Sequence, residues 1–332
     1  MSSFMSPLTQ HGSRSLDTAE EPRNRGWAKL PPEYAVPAKA PTLEEARAYC
    51  ERLARTHYEN FSVATWFLPK RLRPHFYSVY AYCRISDDLG DEVGDPQQSL
   101  ALLDEWECEL EACYTGEPRH PVFVALRETV QACNIPQHEF AGLLKAFRQD
   151  QTVHRYESFE DVLGYCRYSA NPVGHLVLYV CGYGDANRQQ LSDYTCTALQ
   201  LANFWQDVKV DWGKGRIYIP LEDMRRFRVD EQVIAGGRAT PEFRRLMQFQ
   251  VERAREWFER GLPLVEAVDR DLAIDIELFT RGGQEILNAI EQQAFDVLAS
   301  RPAISKRRKL WLVAKAAAKK ALPTGRTGPR PV

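Results

Sequence analysis

Forty-three Lys and Arg against forty-five Asp and Glu leave the 332 residues with a net charge of −2, so nucleic acid is not an expected partner. A hydrophobic content of 44% supports a large core, yet no apolar run approaches the ~20 residues that a bilayer crossing needs. Eight scattered cysteines form no CxxC pair and no apolar N-terminal run resembles a signal peptide, which points to reduced thiols in a cytoplasmic protein rather than a disulfide framework.

Residues 1–40, rich in Ser, Pro and charge, read as a disordered lead-in. The acids Asp17, Glu20 and Glu21 argue against a transit peptide. Thr42 and Glu45 form a capping-box pattern that opens a helix to about His57. Asn60–Leu68 is an apolar run, a short buried helix or a pocket wall, closed by Pro69. Helices are expected over 75–91 and 98–114, from Pro121 to Cys133 and from Pro136 to Asp150. An apolar helical pair over 158–181 breaks near Asn171-Pro172, and a long helix covers 188–211. After the loop Trp212–Arg216 comes one strand-like scrap, Arg216–Ile219. Helices over 241–260, 262–279 and 281–300 and a basic helix over 302–321 complete the chain. With no βαβ alternation, hairpin series or repeat, the expected fold is all-α: one domain over 42–300, its helices packed around a central channel, followed by a basic C-terminal segment, 302–332.

Two helical stretches carry the chemistry. In YAYCRISDDLGD, Tyr80, Arg84, Asp87, Asp88 and Asp91 climb one side of a helix, and in QLANFWQDVKVD, Asn203, Asp207 and Asp211 recur every fourth residue. Two such faces turned toward each other would make a cage for Mg²⁺, which is held by a few carboxylates together with phosphate oxygens. Mg²⁺ there would stabilise a departing diphosphate, and Arg84, Lys214 and Arg216 are placed to hold phosphate oxygens. DDLGD alone equally fits a solvated helix face. The second stretch is harder to explain that way, because Leu199, Leu201, Phe204 and Trp205 are interleaved with its polar groups. Tyr80 and Tyr165 are core aromatics or, near a carbocation, stabilisers of positive charge. The histidines show no metal spacing, and no P-loop, nucleophile elbow or dinucleotide fingerprint occurs.

These residues resemble the squalene/phytoene synthase family of head-to-head isoprenoid enzymes. The match covers roughly residues 50–300 and rests on NFSVATWFLPKRLRPHFYSVYAYCRISDDLGDE (60–92), GYCRYSANPVG (164–174) and CTALQLANFWQDVKVDWGKGRIYIP (196–220). ENFSVA, RLRPH, SANPVG and NFWQDVKVDW look most like the bacterial hydroxysqualene synthase branch. The resemblance implies the isoprenoid synthase fold. It implies Mg²⁺ ligands at Asp87, Asp91, Asn203, Asp207 and Asp211, with Asp88 in support. Tyr80, Arg84, Gln200 and Arg216 match positions near the diphosphate, Tyr165 matches a tyrosine near the reacting carbons, and Ala170–Gly174 matches a close-packed stretch of small residues. Asn60 and Gln206 depart from relatives that carry Ser and Arg there, which bears on how diphosphate is handled. Ser169 is a further departure: its hydroxyl either positions a water or caps a helix.

In that branch presqualene diphosphate is ionised with Mg²⁺, rearranges and is captured by water to give hydroxysqualene. A presqualene diphosphate synthase would act before it, and a flavin-dependent dehydroxylase after it, on the way to squalene and hopanoids or sterols. The alternative is head-to-head condensation of two prenyl diphosphates to presqualene diphosphate, dehydrosqualene or phytoene. A non-catalytic assembly subunit is disfavoured because every acid of both stretches is present. From Arg301 onward there are ten Lys and Arg and no acid, with Leu310, Trp311, Leu312 and Val313 among them. That pattern fits a basic amphipathic helix on an anionic membrane surface, or a basic helix that packs its apolar face on the core.

Overall fold

In the computed structural model residues 30–56 and 69–321 are described, and among them the fold is all-α, with no strand. Most of the expected lead-in and the apolar run Asn60–Leu68 lie outside the described residues. Leu30 and Tyr34, at the end of the lead-in, are instead packed and buried, with a 3-10 turn at Pro32–Tyr34. The described residues divide into two compact units, residues 30–56 with 74–152, and residues 69–73 with 153–321.

The first unit contains α1 (Leu43–Thr56), α2 (Arg73–Asp91), α3 (Pro96–Thr115), α4 (Pro121–Cys133) and α5 (Gln137–Gln149). The capping box at α1 forms as the pattern predicts: Glu45 accepts from the Thr42 amide at 2.8 Å and the Glu45 amide donates to Thr42 Oγ1 at 3.3 Å. Helix α2 is held by one face. Tyr82 donates to the Phe140 carbonyl at 2.8 Å, and Ser86 accepts from Trp106 Nε1 at 2.9 Å. The Tyr82 ring meets Phe140 edge-on at 4.9 Å, and Trp106 meets Phe123 at 4.5 Å. By the helical period this aromatic anchor lies opposite Arg84, Asp87, Asp88 and Asp91, so it fixes the direction in which the acids point.

The second unit is built on α8 (Ala186–Gly213), a 28-residue helix that packs against all its main neighbours. These are α6 (Phe159–Ser169), α7 (Asn171–Val180), α10 (Glu231–Ala235), α11 (Pro241–Gly261), α12 (Leu264–Ala267) and α13 (Arg270–Gln292); α9 (Leu221–Phe227) lies against α11. The break between α6 and α7 falls at Ala170, two residues before Pro172. Gly174 then lets α7 approach α8, since a Cβ there would lie 2.2 Å from Ser192 Oγ and 2.5 Å from Cys196 Sγ.

Three features differ from the sequence reading. The expected helices over 262–279 and 281–300 are one helix from 270 to 292 preceded by the short α12. Gly283 sits inside it because a side chain there would collide with Phe258 and Leu199. The helix ends early because Ala294 and Phe295 take left-handed conformations, φ 50° and 61°, where Arg244 Nη2 binds Asp296 at 2.7 Å and Nη1 donates to the Ala294 carbonyl at 2.5 Å. Arg216–Ile219 is not a strand, although the Ile217 amide donates to the His154 carbonyl at 3.0 Å and the Leu221 amide to the Tyr156 carbonyl at 2.9 Å. The last helix, α14 (Lys306–Ala321), packs on α13.

All eight cysteines are free. No helix among the described residues is long and apolar enough to cross a membrane.

Two stability tests follow from this packing. Gly174→Ala should cost about 1–3 kcal/mol of unfolding free energy, because the new methyl meets side chains that must shift; denaturant melts would measure it. Asp275 on α13 is buried, and neither of its carboxyl oxygens has a hydrogen-bond partner among the described residues. Burial pushes this carboxyl up to about 8, with Lys320 opposing and Asp271 and Asp269 adding. The folded state therefore holds a proton that the unfolded chain releases near pH 4, and stability falls as pH rises from there toward 8. Asp275→Asn removes that slope, so its margin in melting temperature over the wild type should be smallest at about pH 4 and grow up to about pH 8.

Candidate active site

On α2 the Asp88 carboxylate is held from two sides. Arg84 binds it through Nη2 at 2.5 Å and Nε at 3.1 Å, and the Tyr34 hydroxyl donates to it at 2.8 Å. The Asp88 carboxylate is thus engaged by the protein itself. Burial and the neighbouring Asp91 charge push the Asp87 carboxyl up to about 7, against the pull of Arg84. Tyr80 is buried one turn before Arg84.

On α8 the same pattern recurs. Gln200, Asn203 and Asp207 are buried and Asp211 is partly so. Burial and Asp207 push the Asp211 carboxyl up to about 7, with Lys214 and Arg216 opposing. The chain turns sharply at this helix end: the Lys214 and Arg216 amides donate to the Asp211 carbonyl at 3.0 and 2.8 Å. That turn gathers the two cations around the last acid of the helix. Asn203 Oδ1 is buried with no hydrogen-bond partner among the described residues.

Each helix therefore pairs carboxylates one turn apart, at least one of which is driven toward protonation. This arrangement destabilises the folded chain and is relieved by a divalent cation. The orphaned Asn203 oxygen adds a neutral donor of the hard type that Mg²⁺ accepts. Among the described residues no three His, Cys, Asp or Glu side chains gather into a ready-made cluster. Mg²⁺ takes one or two carboxylates together with phosphate oxygens, and the paired acids of each helix with the Asn203 oxygen are donors of that type, so the residues present fit Mg²⁺ bound together with a diphosphate.

Beside Asn203 on α8 lies an aromatic cluster. Phe204 stacks on Tyr218 at 3.9 Å with an interplanar angle of 8°. Tyr165 of α6 lies 5.5 Å from Tyr218 and 6.1 Å from Phe204, and Tyr156 lies 5.6 Å from both tyrosines. All four rings are buried. Among the expected site residues, Asn60 lies outside the described residues. Ser169 Oγ is buried without a hydrogen-bond partner among the described residues, so no helix-capping bond uses it.

The sequence reading missed Tyr34, Tyr156, Tyr218 and Arg301. Arg301 is the most consequential. Its Nε contacts Asp207 Oδ1 at 2.5 Å, and its Nη2 donates to Asp207 Oδ2 at 3.3 Å and to Gln206 Oε1 at 3.1 Å. Gln206 Nε2 in turn donates to the Pro302 carbonyl at 2.6 Å. Arg301, 95 residues downstream of Gln206, thus brings its charge to both Gln206 and Asp207, and the Gln206 amide grips the segment that carries it.

Removing Arg301 leaves Asp207, only 2% exposed, as an uncompensated charge. Losing one partner of a fully buried pair costs about 3–5 kcal/mol; Arg301 is 39% exposed, so Arg301→Gln should cost about 1–2 kcal/mol without Mg²⁺. In an Asp207→Asn background the same change should cost little. Equal losses in both backgrounds would show that Arg301 does not act through Asp207.

The squalene/phytoene synthase family model matches residues 54–308. The 15-cis-phytoene synthase of Synechococcus elongatus is 31% identical over 289 residues, 83% of this chain and 94% of that one. The chloroplastic phytoene synthase 1 of Solanum lycopersicum is 26% identical over 92% of this chain and 76% of its own length. Among solved structures, squalene synthase HpnC from Alicyclobacillus acidocaldarius superposes with a TM-score of 0.73 at 44% identity, over 82% of this chain and 99% of that one. A dehydrosqualene synthase in complex with a ligand gives 0.76 at 27% identity, over 83% and 96%. With both acidic helices inside the matched span, the chain belongs to the squalene/phytoene synthase family.

Proposed function

We propose that this protein converts presqualene diphosphate and water to hydroxysqualene and diphosphate, as a hydroxysqualene synthase on a route to squalene and hopanoids. The observation that carries the branch assignment is the 44% identity to the squalene synthase HpnC structure, against 31% and 27% to the phytoene and dehydrosqualene synthases. The wording of residues 60–92, 164–174 and 196–220 points the same way. In this reading the enzyme is a carbon–oxygen lyase that needs no hydride donor.

Asp87, Asp91, Asn203, Asp207 and Asp211 would hold Mg²⁺, with Asp88 fixed in support by Arg84 and Tyr34. When bound, Mg²⁺ supplies positive charge to the diphosphate as the carbon–oxygen bond breaks. Arg84, Gln200, Lys214 and Arg216 bind and orient the diphosphate, and Tyr80 holds one of its oxygens. Asn60 belongs to the same substrate-binding set. The rings of Tyr165, Phe204 and Tyr218 face the carbocation and stabilise it, and their burial excludes all but the reacting water. That water adds its oxygen to the cation and loses a proton, which with diphosphate balances the reaction. The substrate must come from an enzyme that joins two prenyl diphosphates, and the product would go to a flavin-dependent enzyme that removes its hydroxyl.

The 31% identity to a phytoene synthase favours one competitor, head-to-head condensation of two prenyl diphosphates. Incubation with Mg²⁺ and either presqualene diphosphate or farnesyl diphosphate separates the two. The lyase reading expects hydroxysqualene from the first and no thirty-carbon product from the second. Turnover of farnesyl diphosphate alone to such a product would overturn it. Asp87→Asn and Asp207→Asn should each lower diphosphate release about 100-fold or more. Each should also shrink the rise in melting temperature produced by Mg²⁺ with inorganic diphosphate, a readout independent of turnover.

A further inference from the structure

The closing helix α14 contains seven Lys and Arg and no acid, and the structure sorts these cations into two groups. On the packed side Arg308 forms a fork to Glu285 with two contacts of 2.9 Å, while Lys319 and Lys320 pair with Glu277 and Asp271 of α13. Leu312 and Ala316 are buried on this side, Ala316 against Ile274 and Leu278. These contacts account for the helix as a packed element of the fold.

They leave the other side unexplained. Lys306 and Arg307 lie on that side, and Lys309, which by the helical period is nearer the packed side, is exposed in the first turn; none of the three makes an ion pair among the described residues. Between and beside them Leu310 is 71% exposed and Trp311 45% exposed. The Trp311 ring is flanked by the Arg308 guanidinium at 4.3 Å and the Lys315 ammonium at 5.1 Å. The apolar quartet 310–313 is therefore split: Leu312 serves the core, Trp311 is half exposed between two cations, and Leu310 projects from the helix largely uncovered.

We propose that this outer face of α14 docks the protein on the surface of an anionic lipid bilayer. Three features select that occupant. Unpaired cations are drawn to the negative surface potential of such a membrane. A leucine and a tryptophan set among those cations match the depth at which aromatic and apolar side chains enter the headgroup region. A second copy of this chain would bring like charges together, and a nucleic acid would use the cations but leave Leu310 in water. The proposal stands on α14 alone and holds whichever diphosphate the enzyme accepts.

Co-sedimentation of the full chain tests it, using vesicles of phosphatidylcholine alone and vesicles in which about a third of the lipid is phosphatidylglycerol. The wild type should bind the anionic vesicles and not the neutral ones. Each cation near the surface is worth roughly a fivefold change in partitioning. The exposed-site variant K306Q/R307Q/K309Q/K315Q should therefore lose at least about tenfold in binding while keeping its melting temperature. The variant L310S/W311S should lose binding to the same vesicles. A smaller loss in the charge variant overturns the proposal. So does equal wild-type binding to both vesicle types, or binding of duplex DNA at the same salt as tight as that of lipid.

Discussion

The structure depends on a repulsion. Asp87 on α2 and Asp211 on α8 each stand one helical turn from a second acid, Asp91 and Asp207, and burial together with that neighbour raises the cost of the charge on Asp87 and Asp211. Such pairs weaken a metal-free fold. The surrounding chain limits the damage locally: Arg84 and Tyr34 take Asp88, Arg301 takes Asp207, and Lys214 and Arg216 stand near Asp211. What is left over on each helix is acid oxygen of the hard type that a divalent cation accepts.

Around that constraint the two units do different work. In the first, the aromatic packing of Tyr82 and Trp106 fixes the azimuth of α2, so its acids point as a set. In the second, α8 is enclosed by its neighbours and carries, in adjacent residues, the Asn203 oxygen and the Phe204 ring. An unpartnered buried oxygen and a buried aromatic stack are thus fixed by one stretch of backbone. A reaction that separates a diphosphate from a carbocation needs both kinds of surface.

Much of this was legible in the sequence because it is local. The Thr42–Glu45 box, the proline that opens α4, and the four-residue spacing of the acids all express the geometry of a single helix. What escaped was set by distance along the chain. Arg301 meets Asp207 across 94 residues, and Tyr34 reaches Asp88 from a segment whose composition reads as disordered. Tyr156 and Tyr218 come together because the extended chain at 217–221 hydrogen-bonds beside 154–156, a pairing that neither segment announces alone. The split of α13 failed for a similar reason: Gly283 looks like a breaker until its packing against Phe258 and Leu199 is seen.

The central claim is that the carbon–oxygen bond of the substrate breaks and that water supplies the new oxygen. Turnover of presqualene diphosphate in water enriched in oxygen-18, with mass spectrometry of the alcohol, tests it most directly. The account predicts that every molecule of thirty-carbon alcohol carries the heavy oxygen. An alcohol that retains the light oxygen of the substrate, or a product with no oxygen at all, would contradict it.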